Sequence, residues 1–415
     1  MDRAGGVQGR RAAGVADSPY AWVRLAITLA LSTIGGVGMW SVVVALPAVQ
    51  AEFGVARAAA SFPYTLTMIG FGIAGIGMGR LSDRFGIMVP MMVGTCAMAL
   101  GYVLAASSGT LWQYALAQGV LVGAGSSVTF APLLAHISTW FVRRRGIAVA
   151  IVASGNYLAG ALWPPVVQHL IATIGWREAL LDIALFCVAT MLPLAMLLRK
   201  PPPVFAVGPA AVAAHGPHSP AALGLSSRAL QNLLLIAGLG CCVAMSMPQV
   251  HLVAYCGDLG YGPARGAEML SLMLGCGVVS RLVFGFVSDR IGGLRTLLVG
   301  STLQAIALLL FLPIDGLVSL YVISALFGLF QGGIVPAYAI IVREYFPHYE
   351  AGARVGAVIM ATLFGMALGG WMSGVAFDLT GSYRTAFVNG LLWNGLNVSI
   401  AAFLLRRAMA RPAIA

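Results

Sequence analysis

Twelve long apolar runs divide the chain, and no other feature restricts its fold as strongly. A helix that spans a bilayer needs about 20 mostly apolar residues, and every run reaches or approaches that length. The runs are continuous rather than alternating, which favours helices over the strands of a membrane barrel. We therefore predict an all-α membrane protein with twelve transmembrane helices. The runs cover residues 22–46, 61–79, 87–107, 111–137, 146–171, 178–198, 229–254, 267–287, 294–313, 316–341, 354–377 and 385–405.

The composition excludes a soluble globular domain. Hydrophobic residues make up 60% of the chain and charged residues 9%, whereas soluble domains contain about 25% charged residues. The sequence contains no Walker loop, zinc motif or nucleophile elbow. We accordingly expect no enzyme activity, no metal site and no cofactor, and we expect transport to draw on an ion gradient rather than on ATP.

The basic residues lie mostly on one side of the predicted membrane. Of the 24 Lys and Arg residues, nineteen share the side of the N-terminus, four lie on the other side, and Arg281 falls inside a run. An excess of basic residues marks the cytoplasmic side. We predict a monomer in the cell membrane with both termini in the cytoplasm. The net charge of +11 therefore indicates contact with the lipid bilayer, and we expect no nucleic-acid partner.

The two halves of the sequence carry matching motifs, which indicates a tandem duplication. The pair Asp83–Arg84 recurs as Asp289–Arg290, 206 residues later, and residues 175–177 (GWR) are matched with 382–384 (SYR). A stretch rich in Pro and Ala, residues 199–228, lies between the halves and is typical of a linker. We predict two pseudo-symmetric six-helix bundles. The predicted boundaries are a tail 1–21, a bundle 22–198, the linker 199–228, a bundle 229–408 and a tail 409–415.

The stretch GRLSDRFG, residues 79–86, and its counterpart at 285–292 resemble a loop motif of the major facilitator superfamily. The resemblance implies the twelve-helix fold of that superfamily and transport by alternating access. Carboxylates at helix ends can pair with arginines or cap a neighbouring helix, so we predict a latch between the halves. An ordinary solvent-exposed loop is the alternative. The predicted gating residues are Gly79, Asp83, Arg84, Gly86, Asp289, Arg290, Arg143 and Arg144.

Arg281 is the one basic residue inside an apolar run. It lies eight residues before Asp289, which is about 12 Å along a helix, and an arginine at that depth costs about 3 to more than 10 kcal/mol. A guanidinium group offers two parallel N–H donors that match the two oxygens of a carboxylate. We therefore predict that Arg281 binds a small organic anion as its counter-ion. The alternative is a side chain that extends to the lipid headgroups.

Several neutral polar residues lie within the runs and are candidates for the same site. Uncharged donors near mid-membrane suit a carboxylate or its hydroxyl, although they serve equally in hydrogen bonds between helices. His251, near the outer end of the seventh run, is either a proton carrier or a structural residue. The predicted substrate-binding residues besides Arg281 are Asn156, Tyr157, Gln331, Tyr338 and His251.

A narrower resemblance covers three segments. Residues 140–160, 251–260 and 277–285 (GVVSRLVFG) are similar to the monocarboxylate transporter family and its bacterial oxalate/formate relatives. The resemblance implies that Arg281 is the substrate and coupling site. Animal members carry an acid four residues before that arginine, where this chain has Gly277, and a lysine in the first helix, whereas Lys200 is the only lysine of this chain.

These observations predict a secondary active transporter of a small monocarboxylate, with a proton as the coupling ion. An exporter of drugs or metabolites on the same fold is one alternative, and an anion:anion antiporter is another. A membrane sensor or membrane enzyme is a third class, for which the sequence offers no catalytic constellation.

Overall fold

Twelve membrane-crossing helices form the described part of the computed structural model, residues 17–200 and 220–410, and this confirms the predicted count. The sequence-predicted tail 1–21 and linker 199–228 fall largely outside these residues, as does most of the tail 409–415. The helices are α1 Pro19–Phe53, α2 Arg57–Phe85, α3 Met88–Ala106, α4 Leu111–Ser138, α5 Arg145–Ile174, α6 Trp176–Leu197, α7 Ser227–Asp258, α8 Pro263–Ile291, α9 Gly293–Leu310, α10 Leu317–Tyr345, α11 Tyr349–Thr380 and α12 Tyr383–Ala410.

The first helix of each predicted bundle begins with the same kind of cap. Ser18 accepts a hydrogen bond from the Ala21 N–H group at the start of α1, and Ser226 accepts one from Ala229 at the start of α7. A serine in this position satisfies one of the four N–H groups that a helix leaves unpaired at its N-terminus. The cap fixes where each helix begins.

The connections that follow α2 and α8 share a glycine with the same φ. Gly86 and Gly292, which end the two related motifs, both have a φ of 77°. A left-handed backbone costs an L residue with a Cβ about 1–2 kcal/mol, and glycine avoids this penalty. The glycine of the motif is therefore required by the turn itself.

Replacing Gly86 with alanine is expected to lower the stability of the protein by about 1–2 kcal/mol, measured as a lower melting temperature in detergent. Gly79 of the same motif provides the matched control. It lies within α2, and a methyl group there would meet nothing within 4 Å, so alanine should be neutral or favourable by about 0.5–1 kcal/mol. A Gly86→Ala protein as stable as the Gly79→Ala protein would contradict this explanation.

Several helices are interrupted near their middle. α1 has a junction at Gly36, α4 contains a π-helical turn at Ala117–Gly123, and α10 is divided between Gln331 and Ile334. Breaks in transmembrane helices free backbone groups and are tolerated where neighbouring helices or a cavity satisfy them. They mark places where the backbone of one helix approaches another closely.

The described residues cluster into two compact units. The first unit comprises residues 17–48 and 66–200, and the second comprises 49–65 and 220–410. The assignment of 49–65 differs from the predicted bundle 22–198. These residues pack on helices of the second unit, where the Thr65 hydroxyl donates to the Ala367 carbonyl at 2.9 Å.

Equivalent helices meet in each unit. α3 packs against α6 as α9 packs against α12, and α1 packs against α5 as α7 packs against α11. The backbones of α2 and α4 meet at Gly70 and Gly119, and those of α8 and α10 meet at Gly328 and Met273. Small residues at these crossings are the usual device of close helix packing in membranes.

Candidate functional site

Arg281 lies within the uninterrupted helix α8, about 15 Å from the end at Ile291. The apolar side chains of Val279, Val283 and Phe286 are 53%, 51% and 73% exposed, so they mark the exposed apolar side of α8. At about 100° per residue, Arg281 lies roughly 140–160° around the helix from each of them. The side chain is half-buried and on the protein side of the helix. This orientation favours a buried cation over a side chain that lies among lipid.

The backbone of α10 rests on α8 next to Arg281. The Gly332 N–H group donates to the Ser280 hydroxyl at 3.1 Å. A Cβ atom at Gly332 would lie 2.7 Å from the Gly277 carbonyl oxygen, so only glycine allows this approach. Ser280 precedes Arg281 in the sequence, and Gly332 follows Gln331. The contact therefore brings the backbones at Arg281 and Gln331 close together.

Gln331 is fully buried and shares a hydrogen bond with Gln249 of α7. The Gln249 Nε2 group donates to Gln331 Oε1 at 2.9 Å. Within the described part of the chain, the Nε2 group of Gln331 is buried without a hydrogen-bond partner. A buried donor left unsatisfied costs about 1–3 kcal/mol. The arrangement therefore presents an amide donor that a ligand oxygen would satisfy.

Tyr338, one helical segment further along α10, has its hydroxyl engaged. The hydroxyl donates to Asn397 Oδ1 of α12 at 2.8 Å, and Asn397 Nδ2 donates to the Ser301 hydroxyl of α9 at 2.7 Å. This buried network joins three helices. A contact between Tyr338 and substrate stays a prediction.

His251 is fully buried, and both of its ring nitrogens are bound. Nε2 lies 2.7 Å from the Gly370 carbonyl oxygen, which can only accept, so Nε2 carries the proton in the neutral ring. Nδ1 lies 3.0 Å from the Tyr383 hydroxyl and therefore accepts from it. The geometry places His251 in a hydrogen-bonded chain that joins α7, α11 and α12, and a contact between His251 and substrate stays a prediction.

Arg57 continues this chain and was missed as a functional candidate, because the sequence shows it only as a charge between two runs. Its guanidinium donates to the Tyr383 hydroxyl at 2.9 Å and to Asp258 Oδ1 at 3.0 Å. The Asp378 carboxylate accepts from the Arg57 and Ala58 N–H groups at 2.8 Å each, and so caps the start of α2. These contacts hold residues 49–65 within the second unit.

In the first unit, Asn156 and Tyr157 lie just after the break of α5 at Ser154. The Trp40 indole N–H group of α1 donates to the Asn156 carbonyl at 3.4 Å. Within the described residues, the Asn156 Oδ1 atom is buried without a hydrogen-bond partner, and the Tyr157 side chain is buried. Asn156 thus presents a free acceptor near the middle of α5, and substrate contacts of both residues stay a prediction.

Side chains of the predicted latch are exposed. This holds for Asp83, Arg84, Asp289 and Arg290, and none of them joins an ion pair among the described residues. The N-terminus of α9 is capped by another carboxylate, since the Gly293 N–H group donates to Glu344 at 3.0 Å. The gating role of the motif stays a prediction.

Arg143 and Arg144 lie in the connection between α4 and α5, and Asp17 binds their backbone. The Asp17 carboxylate accepts from the N–H groups of Val142, Arg143 and Arg144 at 3.3, 3.0 and 3.3 Å. Desolvation raises the pKa of this carboxyl, but the three N–H donors and the charge of Arg143 outweigh it and hold the pKa below its ordinary value. Asp17 is thus ionised at neutral pH.

Metal binding has no candidate in residues 17–200 and 220–410, because no three His, Cys, Asp or Glu side chains lie close enough together to hold an ion. Nearly all of the polar groups described above serve helix contacts. Among the buried groups, the Gln331 Nε2 atom of the second unit and the Asn156 Oδ1 atom of the first have no hydrogen-bond partner in the described residues.

The sequence matches the family model described as Major Facilitator Superfamily over residues 28–319 and 269–413. It is 30% identical to Monocarboxylate transporter 13 of Bos taurus over 318 residues, 74% of this chain and 71% of that protein. It is 28% identical to Monocarboxylate transporter 11 of Homo sapiens over 395 residues, 91% and 81% of the two chains. It is 27% identical to the MFS-type transporter opdF of Penicillium oxalicum over 346 residues, 79% and 76% of the two chains.

Solved structures show the same fold. The inward-facing, unoccupied structure of a bacterial homolog to the human lysosomal transporter Spinster superimposes with a TM-score of 0.69 at 13% identity, covering 95% of this chain and 96% of that one. A point mutant of the nucleoside transporter NupG superimposes with a TM-score of 0.68 at 15% identity, covering 93% and 99% of the two chains. At these identities the likeness concerns the fold alone.

Proposed function

Since the chain belongs to the Major Facilitator Superfamily and is a transporter of the monocarboxylate transporter type, we propose that it carries a small monocarboxylate through the cell membrane, coupled to a proton. The observation that carries this proposal is the orientation of Arg281 on the protein side of α8. Both termini lie in the cytoplasm, as the distribution of basic residues indicates. Two of the relatives named above are monocarboxylate transporters, which supports the substrate class.

Arg281 binds the carboxylate. Its fork of N–H donors matches two carboxylate oxygens, and the pair is strongest where water is excluded. The buried Gln331 amide lies next to the contact between α8 and α10. It donates to a lone pair of the acid's oxygens that Arg281 leaves unused. Gln249 orients Gln331 by bonding its oxygen.

Charge compensation gives the transport step its selectivity. A guanidinium group inside a spanning segment is costly in the low dielectric of the membrane. A bound carboxylate lowers this cost by neutralising the charge, and the accompanying proton balances the charge that crosses. The loaded carrier therefore changes conformation more readily than the empty one.

Uptake into proteoliposomes tests the function. Labelled lactate, pyruvate, acetate, oxalate, an aromatic acid and one lipophilic cation are offered with and without an inward proton gradient. We expect one monocarboxylate to accumulate with the gradient. Accumulation only against a preloaded anion would instead identify an antiporter, and movement of the cation alone would identify an exporter of lipophilic compounds.

The glutamine pair yields a separate prediction. Replacing both residues, Gln249→Met and Gln331→Met, removes a buried hydrogen bond and its unsatisfied donor together, which is nearly neutral for folding. We expect the melting temperature to stay within about 2 °C of that of the unmodified protein, because a change of about 0.5 kcal/mol or less shifts it little. The KM for the acid should rise about tenfold, as the loss of one hydrogen bond to a charged group implies. An unchanged KM would assign the pair to helix packing alone.

A further inference from the structure

A cavity of about 360 Å³ opens at the basic end of the first unit. It is lined by Asp17, Arg143 and Arg144. Two guanidinium groups and one carboxylate come from the described residues, so this part of the lining carries a net positive charge. The cavity lies in the connection between α4 and α5, outside the membrane-spanning helices.

The arginine side chains of this cavity, Arg143 and Arg144, form no ion pair among the described residues. Asp17 binds the connection through backbone N–H groups. The next residue differs, since Arg145 Nε donates to the Ser138 carbonyl at 2.8 Å and so secures the end of α4. Both guanidinium groups of the lining are therefore available to a ligand.

Aromatic and aliphatic side chains accompany the basic ones at this end of the first unit. The Arg144 guanidinium lies 5.8 Å from the centre of the Trp22 ring, and the Lys200 ammonium lies 4.9 Å from the centre of the Tyr20 ring. The apolar side chains of Val142 and Ile147 are 54% and 58% exposed. Trp and Tyr with basic residues at the ends of membrane helices are characteristic of the headgroup region. The surface thus offers cations, aromatic rings and aliphatic contacts side by side.

We propose that this cavity binds the phosphate of an anionic phospholipid from the leaflet on the basic side. One guanidinium group can bind two phosphate oxygens at once through two N–H donors. Basic pockets between membrane helices bind anionic headgroups. Free phosphate shares this chemistry. Val142 and Ile147 favour the lipid, because acyl chains contact exposed aliphatic side chains and an inorganic ion does not.

Native mass spectrometry of the purified protein in detergent tests the proposal. Phosphatidylglycerol and phosphatidylcholine with identical acyl chains are titrated against the protein. We expect phosphatidylglycerol to bind more tightly, and Arg143→Gln with Arg144→Gln to reduce its affinity by about fivefold per arginine. The glutamine variants keep the backbone bonds to Asp17, so the fold is expected to remain.

Arg228→Gln with Arg295→Gln is the matched control, because both of these arginines are exposed in the second unit and the loss of charge is the same. The control should bind phosphatidylglycerol as the unmodified protein does. Equal losses in both pairs would show unspecific attraction and overturn the proposal. Unchanged binding in the Arg143/Arg144 pair would also overturn it, as would displacement of the lipid by glycerophosphate at equal concentration.

The affinity should not depend on pH between about 5 and 8. The pKa of Asp17 is lowered on folding, so its interaction with the connection is fully present above the unfolded pKa and is lost only as pH falls through the folded value. Arginine stays charged throughout. Loss of phosphatidylglycerol binding between pH 8 and 5 would mean that a group other than Asp17, Arg143 and Arg144 holds the lipid. That result would contradict the proposal.

Discussion

Proteoliposomes containing Arg281→Gln are expected to accumulate the transported acid at least about thirtyfold more slowly than those containing the unmodified protein. Removing one member of a buried, hydrogen-bonded charge pair costs about 2–5 kcal/mol, and each 1.4 kcal/mol is a factor of ten. Glutamine retains the polarity of the side chain but loses the charge and the paired donors. The measurement is initial uptake at saturating proton gradient.

Arg281→Lys separates charge from geometry. Lysine keeps the positive charge but cannot bind two oxygens with a rigid fork, so we expect weak uptake with a raised KM. Arg295→Gln, which removes an exposed arginine from α9, should transport normally. Wild-type rates in Arg281→Gln would exclude this residue as the anion site, whereas failure of the unmodified protein to move any acid would exclude the proposed function itself.

Replacing Arg57 with glutamine is expected to destabilise the second unit by about 3 kcal/mol. Breaking a buried ion pair by removing one partner costs about 3–5 kcal/mol, and the lower end applies because the Asp258 side chain is 35% exposed whereas that of Arg57 is 9% exposed. The Tyr383 hydroxyl, which donates to His251 Nδ1, also loses the hydrogen bond that it accepts from Arg57. Thermal unfolding in detergent should show a melting temperature lower by several degrees.

A second arginine on the same end of the second unit calibrates this effect. Arg265 pairs with Glu268 at 2.9 Å, but the two side chains are 53% and 44% exposed. Exposed pairs contribute about 0–1 kcal/mol, so Arg265→Gln should barely change the melting temperature. Equal effects of the two substitutions would mean that the buried network does not hold residues 49–65 in place.

The number and type of helices could be predicted because apolar length is a direct consequence of bilayer thickness. The interruptions of α4 and α10 could not, since their causes are contacts between distant helices, as at Gly332 and Ser280. Periodicity in one helix carries no information about where another backbone approaches it. The same limit explains why the packing of 49–65 within the second unit was not predicted, although the apolar runs around it were recognised.

The candidate site was partly predictable. Arg281 was evident from the energetic cost of a charge within an apolar run, and Gln331 from its position beside two glycines. Gln249 was missed, although a glutamine inside a run is a comparable signal. Arg57 was missed because its importance arises from three residues more than 200 positions away in the chain, namely Asp258, Asp378 and Tyr383.

Glycines with positive φ end corresponding helices in the two halves of the chain. Gly175 and Gly381, which end α5 and α11, form one such pair, with φ of 86° and 66°, although their ψ angles of 160° and 12° differ. Gly86 and Gly292 form the second such pair. Their neighbours have diverged, from Phe85 to Ile291 and from Ile87 to Gly293. Any L residue with a Cβ would be strained at these four positions, so the requirement for glycine is stereochemical and does not depend on the neighbouring side chains.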